Sequence, residues 1–315
     1  MDKSGFTAYL KGKDLSAVTI AARIKSVEDF FGYIQKDEIE VAKPDVLNYL
    51  EHLKSSRAQQ NATRSKNLAA INHYFTFLYQ SGQICANPCI FLKIRGIRRG
   101  TVYQIYTPEE LDALFDNYYA LFVRAYDDSH IPHSQRKRAA LNRERNAAIL
   151  SILVHQGVFT TEIGKIETDD LDFRKAAIRI RGSGKKLNER VVPLKAAQMG
   201  ILMDYVRSTR PMILQYHAAE SGKLFLPLPA VGKRKTGSGA MCDVCIMLTP
   251  ALKSIDPQFL NYKQVRASVI AHWIKAHGLR KAQYWAGHRT IVSTEEFATH
   301  ILDDLTGDIN KLHPF

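Results

Sequence analysis

The stretch 262–297 limits the possible folds of this chain more than any other, because strong helical periodicity is interrupted there at defined points. Apolar residues recur at three- and four-residue spacing in its first half, which predicts an amphipathic helix ended by Gly278. A second short helix is predicted to stop before Gly287, and Ser293 or Thr294 is expected to cap a third. The stretch is therefore predicted to form three successive short helices.

Polar side chains on these helices form a candidate site. Lys263 and Arg266 are three residues apart and share one face of the first helix. His288 follows the turn residue Gly287, and Phe297 lies nine positions further on. We expect the two cations and the imidazole to project from successive helices, although a solvated helix face is the alternative for each residue taken alone.

The first hundred residues are predicted to be entirely helical. Apolar stripes at helical spacing cover residues 16–33, a segment opened by Pro44, and residues 62–80. Ser81 and Gly82 end the last of these helices. We expect residues 1–92 to form one domain of four or more short helices.

Residues 93–106 are predicted to be a basic linker, because they combine four basic residues with two glycines and show little helical periodicity. Their charge suggests that the linker lies along a phosphate backbone, and a solvated linker without a ligand is the alternative. Two basic residues near the start of the preceding helix are added to this group. The candidate DNA-contacting residues are Arg64, Lys66, Arg95, Arg98 and Arg99.

A second domain is predicted over residues 107–315. Thr107 and Pro108 provide an N-cap and a proline at the first helical position. Residues 127–145 are polar and increasingly basic, which favours a loop, whereas residues 146–156 are apolar enough to form a buried central helix. Residues 227–246, with several glycines and a run of cations, are expected to form a mobile surface loop.

A β-hairpin is predicted within this second domain. Residues 177–181 and 190–194 are rich in β-branched side chains and bracket a glycine-containing turn that carries Lys185 and Lys186. The predicted fold class is therefore mainly α: a helical N-terminal domain followed by a mixed α/β domain with a small antiparallel sheet.

The charge balance points to a polyanionic partner. The chain of 315 residues carries 44 Lys and Arg against 31 Asp and Glu, a formal net charge of +13. Nucleic acid is the commonest polyanion, and a merely basic soluble protein is the alternative. The sequence shows no apolar run long enough to span a bilayer and begins with polar residues, so we expect a cytoplasmic protein without a membrane partner.

Four cysteines leave a zinc site open as an alternative. Cys85 and Cys89 are four residues apart, and Cys242 and Cys245 form a single C-x-x-C. The two pairs fall in different predicted domains and lack flanking histidines at metal-binding spacing. Unpaired cysteines and no metal cofactor are therefore the favoured prediction.

The spacing in stretch 262–297 resembles the second conserved box of the tyrosine recombinases, the phage-integrase-like family. Members of that family carry His or Lys, two residues, then Arg; about twenty residues later Gly-His; and a nucleophilic tyrosine nine residues after that histidine. In this chain the positions hold Lys263, Arg266, Gly287 with His288, and Phe297. The closing segment is similar to recombinases carried on mobile elements of Bacteroidetes-type bacteria.

This resemblance covers nearly the whole chain and implies a function. It implies an N-terminal core-binding (SAM-like) domain and a catalytic domain that together clamp duplex DNA, and a tetramer on two DNA sites. It also implies strand cleavage and rejoining through a 3′-phosphotyrosine, without a cofactor.

Three positions depart from the family pattern. The first box places an arginine where this chain has Phe159, and the hairpin lysine falls on Ser183, which leaves Lys185 and Lys186 as displaced candidates. Phe297 occupies the nucleophile position. Losing one preorganised donor typically costs about 10² to 10³ in rate, and a nearby cation such as Lys165 or Arg179 is a candidate replacement.

The residues themselves agree with phosphodiester chemistry. Displacement at phosphorus places negative charge on the non-bridging oxygens, which the planar fork of Arg266 matches, with Lys263 and His288 as further donors. A hairpin lysine is the candidate general acid. Because the ring of Phe297 has no oxygen, two hypotheses remain: a recombinase carrying a deliberate Tyr→Phe change, or a naturally inactive DNA-binding accessory factor.

Overall fold

The computed structural model describes residues 1–96, 103–182, 187–229 and 240–298. By the contacts within it, the chain divides into two compact units, Met1–Thr101 and Val102–Phe315. The finer division into a helical domain, a basic linker and a catalytic domain stays a prediction.

The first unit is helical, as predicted. Its helices are α1 (Lys3–Gly12), α2 (Ala17–Ile34), α3 (Lys43–Ser55) and α4 (Asn61–Gln80), with a 3₁₀ turn at Glu38–Glu40. The sequence pattern did not identify α1, because only Phe6 and Leu10 of its short length are buried. Asp2 begins this helix by accepting a hydrogen bond from the Gly5 amide.

Aromatic rings fill the core of the first unit. Phe6 meets Tyr74 edge-on with ring centroids 5.0 Å apart, and Phe30 meets Tyr49 in the same way at 5.2 Å. All four side chains are buried, and such pairs contribute about 0.5–1.5 kcal/mol beyond the area they bury. Side chains of α1, α2, α3 and α4 therefore share one hydrophobic core.

The second unit contains helices around a small sheet. Its helices are α5 (Pro108–Tyr118), α6 (His133–Gln156), α7 (Thr160–Ile163), α8 (Ala196–Asp204), α9 (Arg210–Leu214), α10 (Ala240–Ile255), α11 (Tyr262–Ala286) and α12 (292–298). Its strands are β1 (Leu171–Asp172), β2 (Ala177–Ile180) and β3 (Arg190–Pro193). Fold class and hairpin therefore agree with the sequence prediction.

Helix α6 extends further than predicted. The segment 127–145 was expected to be a loop, but from His133 onward it is helical and continuous with the buried half of α6. Lys, Arg, Gln and Ala are good helix formers, so polarity alone does not indicate a loop. Arg143 uses this position to bind Asp128 at 2.9 Å and to cover the ring of Tyr126 at 4.1 Å.

A second correction concerns the predicted loop 227–246. Residues 240–246 are the first turns of α10, whose apolar side includes the buried residues Val244 and Cys245. Residues 230–239 lie outside the described residues. The glycines of the segment precede α10 and therefore do not interrupt it.

The strands form an antiparallel sheet in the order β1-β2-β3. Ile178 pairs with Val192 and Ile180 with Arg190, so the alternation of the strands places all four side chains on the buried face. A hydrophobic core of α6, α8, β2 and β3 side chains covers this face. Arg190 is thus a charged residue at a core position.

The C-terminal helices follow the prediction except at one cap. Gly278 (φ 78°, ψ 166°) is the non-helical residue within α11, and Gly287 (φ 72°) ends that helix. Helix α12 begins earlier than expected, because the carbonyl of Ile291 accepts the amides of Thr294 and Glu295. Ser293 and Thr294 therefore lie inside α12 and do not cap it.

No helix in the described parts of the chain combines the length and the apolar character that crossing a membrane requires.

Candidate active site

Arg266 lies at the centre of the candidate site. The face of α11 that carries it is packed into the second unit, and only 2% of the residue is exposed. One terminal nitrogen donates to the carbonyl of Gly157 at 2.5 Å, and the other donates to the carbonyl of Ala286 at 2.8 Å and lies 3.1 Å from Nε2 of His288. These contacts fix the plane of the guanidinium.

No carboxylate forms a salt bridge with Arg266 within the described residues, and its Nε–H has no hydrogen-bond partner there. Burial lowers the pKa of Arg266 to about 9; Glu162 raises this pKa and Arg190 lowers it. The side chain is still a cation at neutral pH. Buried N–H groups are almost always paired, so this donor is suited to an anion brought in from outside.

Phe159 covers the guanidinium of Arg266. The centre of its ring lies 4.1 Å from Cζ of Arg266, which is a close cation–π contact. The backbone amide of Phe159 donates to Glu162 Oε2 at 2.8 Å and begins α7. The resemblance implies an arginine at position 159. In this chain the position holds an uncharged ring, which packs against the guanidinium of Arg266.

Arg190 is a residue of this site that the sequence analysis did not identify. It is 1% exposed and binds both carboxylate oxygens of Glu162, at 2.5 and 3.0 Å. Its Nε donates to the carbonyl of Trp285 at 2.8 Å. The signal that could have found it is the β3 alternation, because Arg190 is in phase with the core residue Val192.

The turn that presents His288 packs tightly on the hairpin. A Cβ added to Gly287 would lie 2.9 Å from the Cδ of Arg190 and 3.0 Å from the carbonyl oxygen of Asn188. The amide of Asn188 donates to the carbonyl of Gly287 at 2.8 Å, and Leu187 pairs with His288 in an isolated bridge. With its positive φ as well, only glycine fits at position 287.

His288 is buried, with 8% of the residue exposed. Its Nδ1 lies 3.0 Å from the hydroxyl of Thr294, and its Nε2 faces Arg266. Burial, together with the charges of Arg266 and Arg190, lowers the pKa of His288 to about 4, and Glu162 acts in the opposite direction. The ring is therefore neutral at pH 7, and both of its nitrogens have partners within the protein.

Phe297 stacks on His288. The two ring centroids are 5.5 Å apart and the planes differ by 19°. The structure thus brings Phe159, Arg266, His288 and Phe297 together, while their catalytic roles stay predictions.

The predicted lysines and the suggested replacement cations differ in where they lie and in how exposed they are. Lys263 is exposed in the first turn of α11, one turn before Arg266. Lys185 and Lys186 lie outside the described residues. Of the suggested replacements for the missing arginine, Arg179 pairs with Asp170 at 2.7 Å and is committed to that carboxylate, and Lys165 is partly buried just after α7.

The candidate DNA-contacting residues differ in their exposure and in the hydrogen bonds that they form within the protein. Arg64 is partly buried, and it donates to the carbonyl of Leu50 and to the side chain of Asn61, both at 3.1 Å. Lys66 and Arg95 are exposed. Arg98 and Arg99 lie outside the described residues.

The cysteines do not form a metal centre within the described residues. All four are free thiols, with Cys89 and Cys245 buried, and the two pairs lie in different units. No group of three or more His, Cys, Asp or Glu side chains in the described ranges could hold a metal ion.

Comparison with known proteins finds sequences similar to this chain. Residues 4–82 match the family model described as phage integrase, N-terminal SAM-like domain. The chain is 24% identical over 294 residues to tyrosine recombinase XerC of Roseiflexus sp. (strain RS-1), covering 92% of this chain and 85% of that protein.

Two solved structures are similar to this chain in fold. The XerH site-specific recombinase bound to palindromic difH substrate, a post-cleavage complex, has a TM-score of 0.66 at 15% identity and covers 96% of this chain and 82% of that one. A tyrosine-to-phenylalanine variant of the Tn1549 transposon integrase in complex with transposon right end DNA has a TM-score of 0.62 at 15% identity, covering 96% and 99%.

Proposed function

Because this chain belongs to the tyrosine recombinase and integrase family, we propose that it binds duplex DNA at a specific site and holds one phosphodiester against Arg266. With tyrosine at position 297, the same chain would cleave and rejoin strands. As its sequence stands, it binds DNA without cleaving it.

One observation carries this proposal: Arg266 is a buried cation whose Nε–H has no hydrogen-bond partner among the described residues, and it lies beside His288 and position 297. A buried arginine without a carboxylate is costly unless an anion compensates it. A phosphate offers the acceptors and the planar match that a guanidinium requires. The basic composition of the chain agrees with a polyanionic partner.

The proposed reaction is a displacement at phosphorus. The phenol oxygen of a tyrosine at position 297 would form a bond to phosphorus, and the bond from phosphorus to the 5′ oxygen would break. The product is a 3′-phosphotyrosine, which the hydroxyl of an incoming strand reverses without any other energy source. Arg266 stabilises the charge on the non-bridging oxygens, with Lys263 as a further donor from the preceding turn.

The departing 5′ oxygen needs a proton. We assign this role to Lys185 or Lys186, which directly precede Leu187 in the sequence, and Leu187 is the residue whose backbone pairs with His288. A phosphate close to His288 would raise the pKa of the imidazole, because a negative charge favours the protonated ring, and it would therefore favour a charged ring that donates a hydrogen bond to the phosphate.

A second candidate function is a DNA-binding accessory factor without catalysis. The observation that favours it is that two catalytic positions, Phe159 and Phe297, both hold phenylalanine, and both rings make well-formed contacts with the site. In either case we expect the protein to act as a homotetramer on two DNA sites.

The deciding experiment restores the nucleophile. The duplex that this chain binds is first selected from random-sequence DNA, and a nicked substrate based on it is incubated with Phe297→Tyr. We expect a covalent protein–DNA adduct that resists denaturation and is absent from the parent. Phe297→Tyr combined with Arg266→Met is the control and should lose the adduct.

A Phe297→Tyr protein that binds the selected duplex yet forms no adduct would contradict the recombinase proposal and favour the accessory factor. A parent chain that selects no sequence and binds with an affinity independent of salt would contradict both.

A further inference from the structure

Thr294 is a fully buried polar residue that the proposed chemistry does not use. Its exposed fraction is 0%, and its amide donates to the carbonyl of Ile291 at 2.7 Å in the first turn of α12. Its hydroxyl lies 3.0 Å from Nδ1 of His288. A threonine that simply caps α12 would use its hydroxyl on that helix, so the contact with His288 requires another explanation.

The protonation of His288 follows from its neighbours. A guanidinium nitrogen can only donate, so Nε2 of His288, 3.1 Å from Arg266, must be the unprotonated nitrogen of the neutral ring. The single proton of the imidazole is then on Nδ1 and is donated to the hydroxyl oxygen of Thr294. In the other tautomer, the N–H on Nε2 would point at an N–H donor of Arg266, and no hydrogen bond could form between them.

Thr294 also links His288 to the helix of position 297. Thr294 and Phe297 are three residues apart and share one face of α12, and both touch the same imidazole, one by a hydrogen bond and the other by stacking. We propose that Thr294 is a positioning residue: it holds His288 as the Nδ1–H tautomer, keeps Nε2 available to orient Arg266, and fixes α12 against the site. The catalytic half of this inference rests on the proposed function.

The first test measures the tautomer in the DNA-free chain. Side-chain ¹⁵N–¹H correlation spectra, with His288 assigned by His288→Gln, distinguish a protonated Nδ1 from a protonated Nε2. At pH 7 we expect Nδ1 protonated and Nε2 unprotonated. The charged groups facing the ring that contribute to its titration are Arg266, Arg190 and Glu162. Finding Nε2 protonated in the parent chain would overturn the proposal.

Substitution then tests the role of the hydroxyl. Thr294→Val keeps the shape and removes the acceptor, so we expect the Nδ1–H signal to be lost or exchange-broadened, whereas Thr294→Ser should retain it. Ser293→Ala, at an exposed neighbouring hydroxyl, is the matched control and should leave the spectrum unchanged. An unchanged His288 pattern in a folded Thr294→Val protein contradicts the proposal; if that protein does not fold, the spectra of the parent and Thr294→Ser decide.

The second test measures catalysis in the Phe297→Tyr background. We expect Thr294→Val to slow adduct formation about tenfold at unchanged DNA affinity, and Thr294→Ser to restore the rate. Equal rates for Val and Thr would reject the positioning role. If Phe297→Tyr itself forms no adduct, the recombinase proposal fails, while the tautomer assignment is still decided by the spectra.

Discussion

Two arginines are buried close together in the second unit, and their surroundings differ. Arg190 is held by both oxygens of Glu162 and by the carbonyl of Trp285. Arg266 contacts carbonyls, the imidazole of His288 and the ring of Phe159, with no carboxylate salt bridge within the described residues. The first arrangement is internally neutral and supports the structure, whereas the second is a fixed positive charge suited to a substrate anion.

The largest expected effect is a difference in protein stability between substitution of Arg190 and substitution of Arg266. Arg190→Met leaves Glu162 buried and unpaired, so we expect the free energy of unfolding to fall by about 3–5 kcal/mol. Arg266→Met removes a cation that forms no salt bridge with a carboxylate in the described parts of the chain, so we expect a clearly smaller loss. Urea unfolding of both proteins measures the difference. Equal losses of unfolding free energy in the two variants would contradict the contrast between Arg190, which is paired with Glu162, and Arg266, which forms no salt bridge among the described residues. As a control, the double variant Arg190→Met, Glu162→Met should recover most of the loss seen in Arg190→Met.

An intermediate effect concerns pH. His288 has a pKa lowered to about 4 by burial and neighbouring arginines, so on acidification the unfolded chain takes up the proton first. The stability contributed by the neutral ring is therefore present above about pH 6.5 and is lost as the pH falls to about 4, an effect of roughly 1–3 kcal/mol.

His155 behaves similarly, since burial, followed by Lys195, lowers its pKa to about 4. The unfolding free energy should fall less between pH 7 and pH 4.5 in His288→Gln than in the parent chain. The same measurement on His155→Gln gives the contribution of His155 separately. An identical pH response in the parent and His288→Gln would show that the ring is not held neutral.

The smallest effect concerns Phe159. Phe159→Leu keeps an apolar side chain but removes the cation–π contact with Arg266, which is worth about 0.5–2 kcal/mol. We expect a loss of stability within this range and, in the Phe297→Tyr background, slower adduct formation. Phe159→Tyr retains the π face and serves as the control. A Leu variant with the rate and stability of the parent would show that the ring only fills space.

The sequence predicted the proximity of site residues that lie close together along the chain. Arg266, His288 and position 297 lie within one stretch of helices, and the structure brings their side chains together. Lys263 is exposed one turn before Arg266, and its role stays a prediction. Arg190 was missed because its partner Glu162 is 28 residues away and belongs to another element. Thr294 was taken for a cap because a hydroxyl near a helix start has two uses that the sequence does not distinguish.

For the fold as well, features that depend on local sequence were predicted, and features that depend on tertiary contacts were missed. Helices with a clear apolar stripe, the hairpin and the fold class were predicted, because they depend on periodicity within one segment. The first half of α6 was mistaken for a loop, since its arginines find partners such as Asp128 only through tertiary contacts. The early turns of α10 were missed because a glycine-rich stretch precedes them.

The tight contact at Gly287 has a mechanical consequence. Gly287 packs directly on the Arg190 side chain of β3, and a backbone hydrogen bond joins Asn188 to the turn, so a displacement of β3 would also displace His288. Under the proposed function, a duplex that displaces the hairpin would therefore displace the imidazole, and through Thr294 it would also displace α12, which carries position 297.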